Sequence, residues 1–539
     1  MGVLDARDAR ARAFSMAVLE QRMARILSAE VPTYRVHPVD ELGLLIDADD
    51  YYREFYRAAS RAQHYILLSG WQFDSDVQLL RGAEAERAPY PVTLLKFLDT
   101  LCTERPDLRI WVLAWDFSLV FATEREWMQE LLFHWSTNER LRFRFDDNHV
   151  ERGCHHQKFA VIDGEQAFLG GLDLCDDRWD DRRHLQHNPL RLSRGEPHKP
   201  FHDVQVYLRG RALAASLAEL FVCRWQRAGG LAMTLPSLPE ASNLTADRPQ
   251  GLLPLRASHA ALSRTDPYGS PDGSKLCTEI LALYQAAIAR AESLIYLETQ
   301  YFSSHAVCEA LEQRMRAHER SGLDIVLILN MRGETFKEQA AVGLAQAQII
   351  GRLRQLASET KHRLGIFYTV PQCDPEDTPE RATYIHSKLM IVDDRFLTVG
   401  SANLTNRSMA VDTELNLSVE TEAPDDPLVR SIRAIRASLL AEHSGATEPM
   451  FQDAHEGLVA RLEEIASRGE SGLRVQPCRL RRHMSPTISE RAALALVDPQ
   501  QLPFDPDAVE AFDDGDKSDF LSGVSRYLRE LLASKKDNG

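Results

Sequence analysis

Residues 156–163 read HQKFAVID and residues 386–393 read HSKLMIVD, one alternation of polar and apolar positions written twice at an offset of 230. Working outward, FYRAASRAQHYILLSGWQF (Phe55 to Phe73) lies over YQAAIARAESLIYLETQYF (Tyr284 to Phe302) at an offset of 229, and each reads as a helix running into a strand. A repeat that keeps register over so long a span fixes the architecture before any single element does. Between the matched blocks lie apolar β-type runs, Ile110 to Ala114 and Ile325 to Leu329. After them come strand candidates Val204 to Leu208 and Leu415 to Val419, then amphipathic helices Ala212 to Arg227 and Leu428 to Glu442. Helices alternating with short apolar strands predict an α/β protein made of two duplicated α/β sandwich halves, each with a buried mixed sheet, facing each other across a pseudo-twofold axis.

The expected divisions are an N-terminal helical segment over 1–39, a first half over 40–228, a proline-punctuated linker over 229–273, a second half over 274–445 and a C-terminal extension over 446–539. The extension shows no third copy. It holds helix candidates at Glu456 to Arg468 and Phe520 to Leu532 and a solvated acidic stretch, FDDGDKSD, and receives no chemistry.

With 63 Lys+Arg against 79 Asp+Glu the formal charge is −16, which argues against a nucleic-acid binder by composition. The longest nearly uncharged apolar stretch, Ile110 to Ala122, falls short of the ~20 residues that cross a bilayer. The first residues, MGVLDARDARARAF, mix charges of both signs with no apolar core, so a secretory leader is not expected and the cytoplasm is the expected compartment, with leaderless export left open. Eight cysteines show no paired spacing of a disulfide framework or a zinc knuckle.

Within each copy, residues two apart on a strand share a face, so His156 with Lys158, and His386 with Lys388, are expected to project together into one cavity while Phe159 to Ile162 and Leu389 to Val392 bury their strands. Asp163 and Asp393 complete the motif and are expected to brace the turns after the strands. Gly171 and Asp173 follow the first copy where Ser401 and Asn403 follow the second, so the two copies are not chemically identical there. A lone HxK is usually a surface accident; two copies matched inside a repeat mark a site.

These residues resemble the phospholipase D superfamily, whose signature is a twice-repeated HxKxxxxD followed by a Gly-Ser or Gly-Gly element with Asn or Asp. HHQKFAVIDGEQAFLGGLDLCDDRWDD (His155 to Asp181) and GSANLTNRSMAVDTELNLSVE (Gly400 to Glu420) are similar to the two motifs of its eukaryotic-type, lipid-cleaving branch, over about residues 40 to 445. The resemblance implies hydrolysis of the distal phosphodiester of a glycerophospholipid, giving phosphatidate and a headgroup alcohol, with transfer to other alcohols open. It implies His156 as nucleophile, His386 as acid for the leaving alcohol and then base for the incoming one, and Lys158, Lys388, Ser401 and Asn403 around the phosphate oxygens. The near-symmetry of the copies permits the two histidines to exchange roles. A nuclease-like phosphodiesterase and a cardiolipin synthase-like phosphatidyltransferase are the alternatives.

A nucleophilic imidazole needs its other nitrogen held, and a carboxylate does that well. Glu414 and Asp203 occupy matching positions on the strands after the motifs and are expected to orient the histidine of their own half. Gln300, near the end of its strand, is expected at the substrate headgroup. The loop Cys175 to Pro200 carries His184, His187 and His198 at spacings that fit no zinc pattern; it is expected to form a substrate-facing lip, with no metal. No cofactor is expected, calcium at most modulating activity through the lipid surface. The expected partner is a phospholipid at a membrane surface, and with both motifs in one chain a monomer is expected.

Overall fold

The computed structural model describes residues 25–28, 31–116, 138–150, 153–238, 248–268, 276–331, 336–371, 381–452, 455–469, 471–477 and 498. The helix expected at Phe520 to Leu532, the acidic stretch and residues 1–24 lie outside the described residues.

Each half is built on a sheet with one strand order. In the first the order runs Glu41–Ile46, Val204–Arg209, Gln166–Gly170, Phe159–Ile162, Tyr65–Gly70, Arg109–Trp115, Leu141–Asp146. In the second it runs His259–Asp266, Glu414–Glu420, Phe396–Gly400, Leu389–Val392, Leu294–Thr299, Asp324–Leu329, Arg363–Thr369. The first four pairings are antiparallel and the last two parallel in both. The duplication seen in the sequence is thus a duplication of topology.

Strand periodicity sorts the apolar side chains into layers. Tyr65 and Leu67 point into a core shared with Leu294, Tyr296, Leu397 and Val399 of the other half, while their neighbours Ile66 and Leu68 point outward beneath helices Asp47–Ala59 and Leu94–Glu104. The second sheet repeats this, with Ile295 and Leu297 beneath Glu279–Arg290 and His305–Arg316. Helices Arg211–Arg227 and Pro427–Ser444 bury residues in the shared core. Each fully buried Leu or Ile contributes about 1.5–3 kcal/mol, so the joint between halves is a continuous hydrophobic core.

The structure differs from the expected divisions at three places. His259–Asp266, inside the expected linker, is an eight-residue strand of the second sheet. Its polar sequence hides this, because Arg264 is buried against Glu279 and over the Tyr34 ring. Arg35–Pro38, expected to be helical, covers that strand as the sheet's edge. At the opposite edge Leu473–Val475 pairs with Arg363–Thr369, and helix Leu458–Ser467 places Leu458 and Leu462 in the shared core, so the second half extends past 445.

Candidate active site

The two motifs meet at the joint, and the backbone there explains how. His155 bridges Thr413 in parallel, with the His156 N–H donating to Thr413 O at 2.9 Å. In the mirror arrangement Phe201–His202 pairs in parallel with Tyr384–Ile385, and the His386 N–H donates to His202 O at 2.8 Å. Each histidine is therefore strung alongside the segment that enters the other half's carboxylate strand.

The consequence corrects the expected pairing. His156 Nδ1 donates to Glu414 Oε2 at 3.0 Å, and His386 Nδ1 donates to Asp203 Oδ2. Both bonds cross between halves; neither carboxylate serves its own half. Both carboxylates are fully buried. Burial pushes the Asp203 carboxyl up to about 7 and that of Glu414, beside Asp412, up to about 8. The same burial, followed by the charges of Lys158 and Lys388, holds both imidazoles well below their ordinary value.

Ser401 and Gly171 stand directly behind the carboxylates. Ser401 Oγ is fully buried, donates to Glu414 Oε2 at 2.5 Å and accepts from the Leu415 N–H at 3.0 Å. A Cβ at Gly171 would collide with the Asp203 carboxylate. The difference between copies follows from side-chain length: the shorter Asp203 sits against the backbone and excludes any side chain there, whereas the longer Glu414 leaves room for a hydroxyl.

The lysines are gripped differently in the two halves. Lys158 Nζ lies 3.4 Å from Asp173 Oδ2, while Asp173 Oδ1 accepts from the Trp71 N–H at 2.8 Å. Lys388 Nζ donates to Gln300 Oε1 at 3.2 Å, which also accepts from Asn403 Nδ2 at 3.3 Å. Gln300 in turn donates to Tyr384 OH at 2.7 Å, so both ends of its amide are engaged within the site. Burial brings Lys388 down to about 7. Asp163 accepts from the N–H groups of Gln63, His64 and Tyr65, and Asp393 from those of Glu292, Ser293 and Leu294. Both have positive φ, 47° and 54°; they brace turns and carry no chemistry.

The loop at Cys175 to Pro200 folds inward, burying Asp180, His184 and Arg191, and is not a simple lip. Arg178 lies over the Phe201 ring, and that ring packs against the His386 imidazole at 5.2 Å. His184 joins Asp47, His202 and Glu442 in a buried cluster that sequence spacing hid, because its members come from four separate segments. His184 Nε2 lies 3.2 Å from Glu442 Oε1 and 3.4 Å from Asp47 Oδ2, and His202 Nδ1 lies 2.8 Å from Glu442 Oε1 and 3.1 Å from Asp47 Oδ1. Their other ring nitrogens face Asp180 Oδ2 at 3.0 Å and Glu298 Oε2 at 3.1 Å. These separations and outer carboxylates suit a divalent cation. Protonated imidazoles would satisfy the same acids, which push His184 up to about 10. His202 precedes Asp203, so the cluster abuts the carboxylate behind His386.

Comparison with known proteins gives the family of the chain. The family model described as phospholipase D matches residues 58–330, and one described as cardiolipin synthase, PLD-like domain, matches 284–435. The chain belongs to the phospholipase D family. It is 25% identical over 492 residues to phospholipase D alpha 4 of Arabidopsis thaliana, covering 74% of this chain and 64% of that one. It is 24% identical over 546 residues to phospholipase D alpha 1 of Zea mays, covering 77% and 66%. The chain thus spans about two thirds of the length of these relatives. Among solved structures, the phosphatidylserine synthase of Haemophilus influenzae aligns over 80% of this chain and 94% of its own at 13% identity, with a TM-score of 0.46.

Proposed function

We propose that the chain is a phospholipase D that hydrolyses the distal phosphodiester of glycerophospholipids. One observation carries the reading: two imidazoles, each held at Nδ1 by a buried carboxylate of the other half and each followed two residues later by a buried lysine, meet at one joint. Such a set supplies what phosphodiester cleavage needs. His156 Nε2, kept unprotonated by its depressed affinity for protons and by the Nδ1–H bond to Glu414, attacks phosphorus as the bond to the headgroup oxygen breaks. His386 enters the cycle as the imidazolium, its charge favoured by Asp203 at Nδ1 and by the bound phosphodiester anion; its Nε2–H gives that oxygen a proton, leaving a phosphatidyl group on His156. His386 then takes a proton from water, whose oxygen attacks phosphorus, releases phosphatidate and restores His156. An alcohol in place of water yields the transphosphatidylated lipid.

Lys158 and Lys388 neutralise the non-bridging oxygens. An anion entering the site favours the charged form of Lys388, which burial otherwise resists. One chain supplies both histidines and both carboxylates, which supports a monomer, and the substrate class supports a peripheral position on the cytoplasmic face of a membrane. Among the described residues no helix is long and apolar enough to cross one. Incubating the purified protein with mixed phospholipid vesicles and, separately, with DNA tests the reading. Mass spectrometry is expected to find phosphatidate and free headgroup; cleaved DNA with intact lipid would replace this reading with a nuclease.

A further inference from the structure

Asp498 stands in the C-terminal extension, to which the sequence assigns no chemistry, yet it is 2% exposed and fully engaged. Its Oδ2 accepts from Ser303 Oγ at 2.6 Å and Asn406 Nδ2 at 2.8 Å, and its Oδ1 accepts from the Arg407 N–H at 2.8 Å. A carboxylate leaves water only where its hydrogen bonds are made, so three bonds to one small region mark a fixed anchor.

The anchored region leads directly to the catalytic histidine. Asn406–Ala410 is a short helix between Asn403 and Glu414, and Asn406 also ties to Ser303 O at 3.1 Å and the His305 N–H at 3.1 Å. From it Arg407 grips Asp412 with two bonds, Nε to Oδ2 at 2.5 Å and Nη2 to Oδ1 at 2.8 Å. Asp412 Oδ1 accepts from the Cys154 N–H at 2.9 Å, and Thr413 and Cys154 pair through their backbones at 3.0 Å. The next links are the His156 N–H to Thr413 O and the His156 imidazole to Glu414. Asp412 and Asp498 both favour the charged guanidinium of Arg407.

We propose that Asp498 is a positioning residue for His156: it fixes the Asn406–Ala410 segment and Arg407, and through Arg407 and Asp412 it sets the backbone pairing that presents His156 to Glu414. The inference rests on the reading of His156 as a catalytic group. The carboxylate acts at a distance, on geometry and on the charge balance around Asp412. The groups facing the imidazole itself are Glu414, Lys158, Lys388, Asp412 and Asp173.

The test uses the full chain with Asp498→Asn, which keeps the shape and loses the charge, and Asp498→Ala. Three quantities are read: the unfolding midpoint, kcat and KM on vesicles of phosphatidylcholine and phosphatidylglycerol in equal parts, and the titration midpoint of the His156 imidazole by NMR. The expected result is a cooperative fold in Asp498→Asn, an almost unchanged KM, and a kcat lower by about tenfold, with a larger loss in Asp498→Ala, because small misplacements of a reacting group are expensive. The His156 midpoint falls, since loss of the Asp498 charge leaves the positive charge of Arg407 less compensated and so disfavours the imidazolium. Wild-type kcat with an unmoved His156 midpoint in a folded variant overturns the proposal, as does global unfolding of Asp498→Asn, which would make the role structural. A wild-type protein inactive on every phospholipid would sink the functional reading instead, while the His156 midpoint still decides the role of Asp498.

Discussion

At His156 and His386 the same physics acts twice, and it sets the sign of the pH response. Burial and two lysines depress both imidazoles, so His156 stays unprotonated at neutral pH and the acid limb of kcat/KM is expected below the ordinary imidazole range. Lys158→Met removes a charge that disfavours the imidazolium, so the His156 affinity for protons rises and the acid limb moves to higher pH, alongside a large loss of rate. A pH–rate profile whose acid limb stays in place or moves down in that variant would contradict the assignment. His156→Asn and His386→Asn are each expected to cost several orders of magnitude in kcat with the fold intact, because each removes a step and not merely a contact. Ser401 and Gly171 make a separate pair: Ser401→Ala strips Glu414 of a buried hydrogen bond, whereas Gly171→Ala drives a methyl group into Asp203. The first is expected to lower kcat about tenfold and, by leaving the buried Leu415 N–H without its acceptor, to cost about 1–3 kcal/mol of stability, and the second to cost a similar amount through overpacking; kinetics and thermal unfolding on both variants check this.

At the scale of elements, the crossed pairing of His155 with Thr413 and of Phe201–His202 with Tyr384–Ile385 decides which carboxylate serves which histidine. A double-mutant cycle reads this directly. In unfolding free energy, His156→Asn with Glu414→Gln is expected to be strongly non-additive and His156→Asn with Asp203→Asn close to additive, because only groups in direct contact couple there. The reverse pattern would restore same-half pairing. The histidines and lysines were legible in the sequence because polar residues at strand spacing on otherwise apolar strands have few other uses, and the repeat kept them in register. Their partners were not, since pairing between segments so far apart leaves no local periodicity. The strand His259–Asp266 escaped for another reason: its Ser263, Arg264, Thr265 and Asp266 are buried by neighbours from distant parts of the chain. Composition alone made it look like a surface loop.

Across the whole molecule, the hydrophobic joint between sheets also encloses the cluster of Asp47, His184, His202 and Glu442, drawn from both halves. Removing one member of a buried charged set leaves its partners uncompensated, so Glu442→Gln is expected to destabilise the chain by about 3–5 kcal/mol and, through His202 and Asp203, to slow turnover; chemical unfolding followed with and without added divalent cations measures both the loss and any cation linkage. The central claim is that the two halves divide one reaction, His156 holding the phosphatidyl group while His386 moves the protons. Rapid acid-free quenching during turnover, followed by peptide mass spectrometry, tests it most directly. The account predicts a base-stable, acid-labile phosphatidyl adduct on His156 that vanishes in His156→Asn, with net retention at phosphorus in a chiral substrate. No adduct on either histidine together with inversion at phosphorus would contradict it.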